Sequence, residues 1–380
     1  MSSTIQKSER RHYLDNIRWV TVCLVVIYHA IYMYNGEGIN MGAYSNNEGA
    51  HYQDAVLYLL YPWFMLILFI VSGISARIYL EKHTIKEFVK SRTDKLLVPS
   101  TLGLFVWGWA QGLVSMKMSG FDPAAGGPEG AAIPGPVIYF IAVLSGQGVL
   151  WFAQLLWMFC IVLALVRKFE KGKLYELCAK TNVLVLISFV VPLYFFGLFL
   201  NMPMVTVYRF GYYGFGFFLG YFVFAHEEVI DRLKKLRFVL APVALALGIT
   251  YTVLYFRQNY GDTSSEYIHI INSVWAVAYA WTAILSIFTF AKVYGDKETK
   301  LTAFMRKKSF GLYVFHMFPM MAAAYAMHQF LNDSVPLAAR YIIVAVVGVV
   351  FGFALPEIFG RIPIIRYFVL GIRKPKAKKD

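Results

Sequence analysis

Long apolar runs alternate with short charged connections along the whole chain, and this alternation sets the architecture. Apolar runs recur at 17–34, 56–79, 96–115, 149–168, 182–200, 205–224, 238–256, 268–291, 309–330 and 338–358. Each reaches the roughly 17 residues that a membrane-crossing helix needs. The pattern therefore predicts an all-α, polytopic integral membrane protein with ten transmembrane helices. The apolar piece 135–145 is too short to cross and is predicted to be a re-entrant or interfacial element. Between the runs lie a polar segment at 35–54, a basic linker at 77–95, a Gly- and Pro-rich loop at 116–134 and a charged linker at 225–237. No internal repeat or inverted symmetry is visible. Residues 1–380 read as a single membrane domain, with a short basic start at 1–16 and a basic tail at 359–380. The first run has no small-residue cleavage site after it, which predicts a retained span and not a removed leader.

Composition supports this reading. Hydrophobic residues make up 58% of the chain and charged residues only 15%, against about 25% in a soluble domain. The mean hydropathy is +0.55. A net charge of +14 raises the question of nucleic acid, and the distribution of the charge answers it. With ten spans, 32 of the 36 Lys and Arg fall on the side of the two termini and four on the other. That bias predicts cytoplasmic termini in a multi-pass cell-membrane protein. The basic residues then face anionic headgroups, and the expected partner is a lipid bilayer, not nucleic acid. The opposite side carries eight acidic residues against its four basic ones. Cys23, Cys160 and Cys178 have no metal-like spacing, so neither a disulfide nor a metal is expected.

Ionisable residues inside apolar runs are costly and mark candidate functional positions. In the first run Arg18 and His29 are eleven residues apart, three helical turns, and so share a face about 16 Å apart. Asp15 falls near the same stripe. His316, in Ser309-Phe-Gly-Leu-Tyr-Val-Phe-His316, lies about 12 Å beyond Lys308, at a depth similar to that of His29. Imidazole is suited to general-base work near neutral pH. The plainer reading of either histidine is a packing hydrogen bond between helices. In the basic linker Arg92 and Lys95 are three apart and would project together from a helix start, with Lys86 and Lys90 close by. They suit phosphate, although positive-inside charge alone also accounts for them. Glu357 stands four residues before Arg361, as a local ion pair would. Arg209 is an unusual cation on the outer side, next to aromatic residues, and could meet a sugar.

Together these pieces resemble the membrane acyltransferase-3 family from residue 13 to about 371. Leu14-Asp-Asn-Ile-Arg18 with His29 resembles its first-span Arg-x10-His motif. Phe69-Ile-Val-Ser-Gly73 resembles its Phe-x-x-Ser-Gly element, and Leu150-Trp-Phe152 its Leu-Trp-Phe. Arg92-Thr-Asp-Lys-Leu-Leu-Val-Pro99 is similar to its Arg-x-x-Arg segment before Leu-x-Pro. Ser309 to His316 is similar to its Ser-x-x-x-Tyr-x-x-His signature. Tyr13-Leu-Asp and the segment from Glu357 are most similar to the glucan-succinylating branch. Lys95 replaces the family's second Arg, turning a bidentate phosphate contact into a point contact.

The resemblance implies transfer of an acyl group, acetyl or succinyl, from cytoplasmic acyl-CoA to a hydroxyl on a cell-surface or exported glycan. His29, Asp15, Arg18 and His316 would be catalytic. Arg92, Lys95, Lys90 and Lys86 would hold the CoA phosphates. Ser72, Trp151, Arg209, Tyr313 and Glu357 would contact substrate. A lipid or small-molecule alcohol is the alternative acceptor, a transporter the alternative class, and an oligomer is left open.

Overall fold

The computed structural model describes residues 10–36, 51–121, 133–201, 208–256, 270–331 and 334–373. Much of the 35–54 segment and of the 116–134 loop, including Glu37, Glu48, Asp122 and Glu129, lies outside the described residues. Those described are almost entirely helical. The long helices are α1 (His12–Tyr32) and α2 (Ala55–Leu80). α3 (Ile85–Arg92) runs through a π-helical turn at Thr93–Leu97 towards α4 (Trp109–Met118). Next come α5 (Gly135–Ser145), α6 (Trp151–Glu170) and α7 (Lys173–Cys178). α8 (Val183–Ser188), α9 (Val190–Leu198) and α10 (Phe210–Leu219) are short. α11 (Glu227–Leu233), α12 (Arg237–Tyr255) and α13 (Val274–Tyr294) follow. α14 (Lys300–Phe315), α15 (Met317–Leu331), α16 (Leu337–Gly360) and α17 (Pro363–Leu370) complete the chain.

Seven helical stretches are long and apolar enough to cross a membrane, or eight if the bent α14–α15 pair counts as one. The described residues thus give a smaller number than the ten expected. The difference lies in 182–200 and 205–224, where the helices Val183–Leu198 and Phe210–Phe224 are short. α5 is shorter still, about 16 Å by helical rise. It packs antiparallel on α4, since a Cβ on Gly112 would lie 1.7 Å from the Ala142 carbonyl oxygen and one on Gly146 would lie 1.9 Å from that of Gly108.

α2 is the bundle's centre, with the largest buried share of the long spans. Small residues allow its close approach to α10 and the turn beyond it. A Cβ on Gly73 would come within 2.0 Å of the Phe217 carbonyl oxygen, and one on Gly220 within 2.1 Å of that of Ile70. Backbones so near one another gain dispersion and packing in place of the hydrophobic drive that lipid removes. α14 and α16 meet in the same way, through Gly311 against Pro356 and Gly352 against Leu312. The basic end of α1 is tied down by polar contacts. The backbone N–H of Tyr13 donates to Asp296 at 3.0 Å, and Arg11 pairs with Glu227, which also receives Lys292 at 2.7 Å.

Candidate active site

His316 sits at the break between α14 and α15, where the axis bends by 49°. Pro319 explains the bend, because it lacks the N–H that would have bonded the Phe315 carbonyl. The His316 side chain is fully buried. Its Nδ1 lies 3.0 Å from the Leu312 carbonyl and 2.9 Å from that of Tyr313. Both are acceptors, so Nδ1 carries the proton and Nε2 has the lone pair. His316 Nε2 in turn lies 3.1 Å from His29 Nδ1. The pattern assigns the donor to His29 Nδ1, which leaves His29 Nε2 as its basic nitrogen. His29 keeps partial exposure, beside the half-exposed ring of Tyr32 at 6.4 Å between centroids. Two residues 287 positions apart thus form one pair.

Towards the basic end lies a cavity of about 1240 Å³. Ten basic side chains line it against three acidic ones. Arg18, Arg92, Lys95 and Arg366 are among the basic ones, and Ser72, Phe152 and Tyr313 also line it. Asp15 accepts from Arg10 at 2.9 Å and from Arg18 at 3.1 Å, and Arg18 also donates to Ser75 at 2.9 Å. Arg92 and Lys95 make no ion pair among the described residues, although the Arg92 guanidinium lies 5.3 Å from the Tyr79 ring and 5.2 Å from that of Phe88. Arg92 ends α3 and Lys95 lies within the π-helical turn at Thr93–Leu97, so they do not begin a helix as expected, yet both still reach the cavity. Unpaired cations around a deep cleft suit a polyanionic ligand, whose phosphates would supply the missing partners.

The structure does not place the histidine pair in the wall of this cavity. Tyr313, whose hydroxyl donates to the Val149 carbonyl at 2.6 Å, lines the cavity and stands about one helical turn from His316. Arg18 lies about three turns and Asp15 about four turns before His29, and neither touches it; the ring meets His316 and the Val25 backbone. Lys90 lines a smaller side pocket of about 390 Å³ with Lys95 and Arg373, while Lys86 lines neither space. Trp151 is half-buried against Phe69, Tyr208 and Tyr213, and its neighbour Phe152 faces the cavity instead. Glu357 reaches across to Lys308 and not to Arg361. Arg209 departs most from expectation. It is 1% exposed, with its guanidinium 3.8 Å from the Tyr212 ring and bonded to Asn272. A sugar-facing surface role is therefore withdrawn.

Sequence reasoning missed Arg366 and Lys307 as cavity residues. Their only signal was positive charge at the ends of apolar runs, which the positive-inside bias had already absorbed.

A helical membrane bundle with a polar pair among its helices and a basic cleft at one end describes a class, a multi-pass integral membrane protein. The particular family follows from comparison. Residues 11–356, about nine-tenths of the chain, match the acyltransferase domain of the acyltransferase-3 family, and the chain belongs to that family. It is a membrane acyltransferase, and such an enzyme requires an acyl donor. No curated protein and no solved structure matches the chain.

Proposed function

We propose that the protein transfers an acetyl or succinyl group from cytoplasmic acyl-CoA to a hydroxyl of a glycan on the far side of the membrane. The observation that carries this reading is the His29–His316 pair, with its fixed proton arrangement, one turn beyond a basic cavity. Ten crossings fit the reading if Val183–Leu198 and Phe210–Phe224 cross as short helices beside the eight longer stretches. Both termini and the basic cavity then face the cytoplasm, by the charge bias.

Arg92 and Lys95 hold the CoA phosphates, and the pantetheine arm passes Arg18 and Ser72. Phe152 and Tyr313 rotate aside to admit the thioester to the histidines. His29 Nε2 removes the acceptor hydroxyl proton as the oxygen attacks the thioester carbonyl. The C–S bond breaks as the ester C–O bond forms, and the leaving CoA thiolate takes up the proton from His29. His316 holds His29 in the reactive tautomer. Tyr32, beside His29 and away from Arg18, offers an aromatic face on which a sugar ring can stack. Asp15 sets the position of Arg18 along the donor's path.

The test uses the full chain in vesicles, with acyl-CoA on one side and candidate glycans on the other. Acyl ester on the glycan, formed only when the donor is on the side of the basic cavity, supports the scheme. Acylation of lipid alone, or with the donor on either side, overturns the proposed acceptor or sidedness.

A further inference from the structure

The segment after α16 lies beyond the family match, which ends at residue 356. It folds back towards the cavity as α17, packing on the stretch that follows the π-helical turn. Three contacts seat it on that turn. Arg373 grips Asp94 with Nε and Nη2, each at 2.6 Å, and the Tyr367 hydroxyl donates to the same carboxylate at 3.0 Å. Gly371 then passes the Asp94 backbone at φ +64°, where a Cβ would lie 2.1 Å from the Asp94 carbonyl oxygen. Both the backbone conformation and the space require glycine there.

This docking has two consequences at the cavity. Asp94 lies between Arg92 and Lys95 in sequence and would compete with phosphate for either cation. Arg373 and Tyr367 occupy both of its oxygens, and Arg92 and Lys95 keep no carboxylate partner among the described residues. The same docking brings Arg366, Leu370, Gly371 and Ile372 into the cavity wall. Arg366 stands there half-buried, with its Nε fully shielded and without a hydrogen-bond partner. A shielded guanidinium N–H without an acceptor is costly, and a bound anion would satisfy it.

We propose that Arg366 is an anion-binding residue of the donor site, contacting a phosphate of the acyl donor as the second jaw of a clamp with Arg92 and Lys95. Asp94, Tyr367 and Arg373 are positioning residues that dock this jaw and keep the Asp94 carboxylate away from the two cations. The proposal rests on the reading of the cavity as the donor site. The donor site is therefore completed by a segment that follows the residues matched to the acyltransferase domain.

The experiment measures CoA affinity by titration calorimetry, and KM and kcat by thiol release, on full-length protein in detergent. Arg366→Ala should weaken CoA binding and raise KM roughly ten- to a hundredfold, the value of one charge-assisted contact, with kcat little changed. Arg366→Lys should retain part of the affinity. Arg373→Ala should weaken binding as well, and adding Asp94→Asn to it should recover the part of the loss due to the competing carboxylate but not the part due to the undocked jaw. Arg366→Gln keeps the test readable if the alanine variant does not fold.

Wild-type affinity in folded Arg366→Ala or Arg366→Gln, alongside a loss in Arg92→Ala, overturns the second jaw and leaves the donor site standing. Wild-type affinity in both Arg92→Ala and Arg366→Ala overturns the donor-site reading itself. No recovery in the Arg373→Ala/Asp94→Asn double variant overturns the claim that Asp94 competes for the two cations, and wild-type affinity in folded Arg373→Ala overturns the docking role.

Discussion

Replacing His29 by alanine removes the proposed base and leaves the basic cavity untouched. A positioned general base supplies 10²–10⁴-fold, so acyl transfer should fall by at least a hundredfold while CoA affinity stays at the wild-type value. His316 separates two mechanisms. Its Nε2 accepts from His29 Nδ1 at 3.1 Å, and its own Nδ1 is engaged by two backbone carbonyls. If it only holds the tautomer, its contribution is that of a hydrogen bond, about 0.5–1.5 kcal/mol, or roughly two- to tenfold. Glutamine keeps an acceptor oxygen for His29, so His316→Gln should then retain most activity while His316→Ala loses more. If the two imidazoles relay a proton, both substitutions should fall nearly as far as His29→Ala. The assay is acyl transfer in reconstituted vesicles, normalised to folded protein by size-exclusion profile and CoA binding. Full transfer by folded His29→Ala protein refutes the assignment and leaves the pair as helix packing.

At the donor cavity, Arg92→Ala should weaken acyl-CoA binding roughly ten- to a hundredfold, and Lys95→Arg should keep or improve it; calorimetric titration of both variants checks this. Gly73→Ala should destabilise the α2–α10 contact by about 1–3 kcal/mol, since its Cβ would meet the Phe217 carbonyl oxygen at 2.0 Å, with thermal unfolding in detergent as the readout. His226 provides a pH test. Burial lowers its pKa below the usual histidine value, aided by the nearby Arg77 and Arg11, against an opposing bond to the Tyr175 carbonyl at 2.9 Å and the charge of Glu228. Its neutral form is therefore the one that favours folding. This contribution is complete above about pH 6.5 and is lost as the pH falls through the lowered folded-state pKa. The acid-side decline in melting temperature should shrink in His226→Gln.

The bundle was legible because membrane helices advertise themselves by length and apolarity, and the paired depth of His29 and His316 followed from counting residues along two runs. What periodicity cannot carry is which distant backbone a side chain meets. Arg209 looked like a surface cation because Asn272, the group that receives it, belongs to another part of the chain. Glu357 had a plausible neighbour four residues away, and its observed partner, Lys308, lies on α14. The shortfall in Val183–Leu198 and Phe210–Phe224 also escaped notice, since hydropathy records apolar composition and not where a helix ends. The Asp94 contacts with Tyr367 and Arg373 bridge more than 270 residues, a separation at which local spacing rules are silent.

The separation of 287 residues between the two histidines also bears on biogenesis. At roughly 5–20 residues per second of synthesis, about 15–60 seconds pass between the emergence of His29 and that of His316. Throughout that interval the first helix must carry an imidazole whose eventual partner does not yet exist. Either the helix waits beside the translocation machinery, or water and neighbouring backbone serve the ring until the ninth apolar run arrives. The pair therefore closes late, and a nascent chain halted before residue 316 would have the helix of His29 without the contact that fixes its proton.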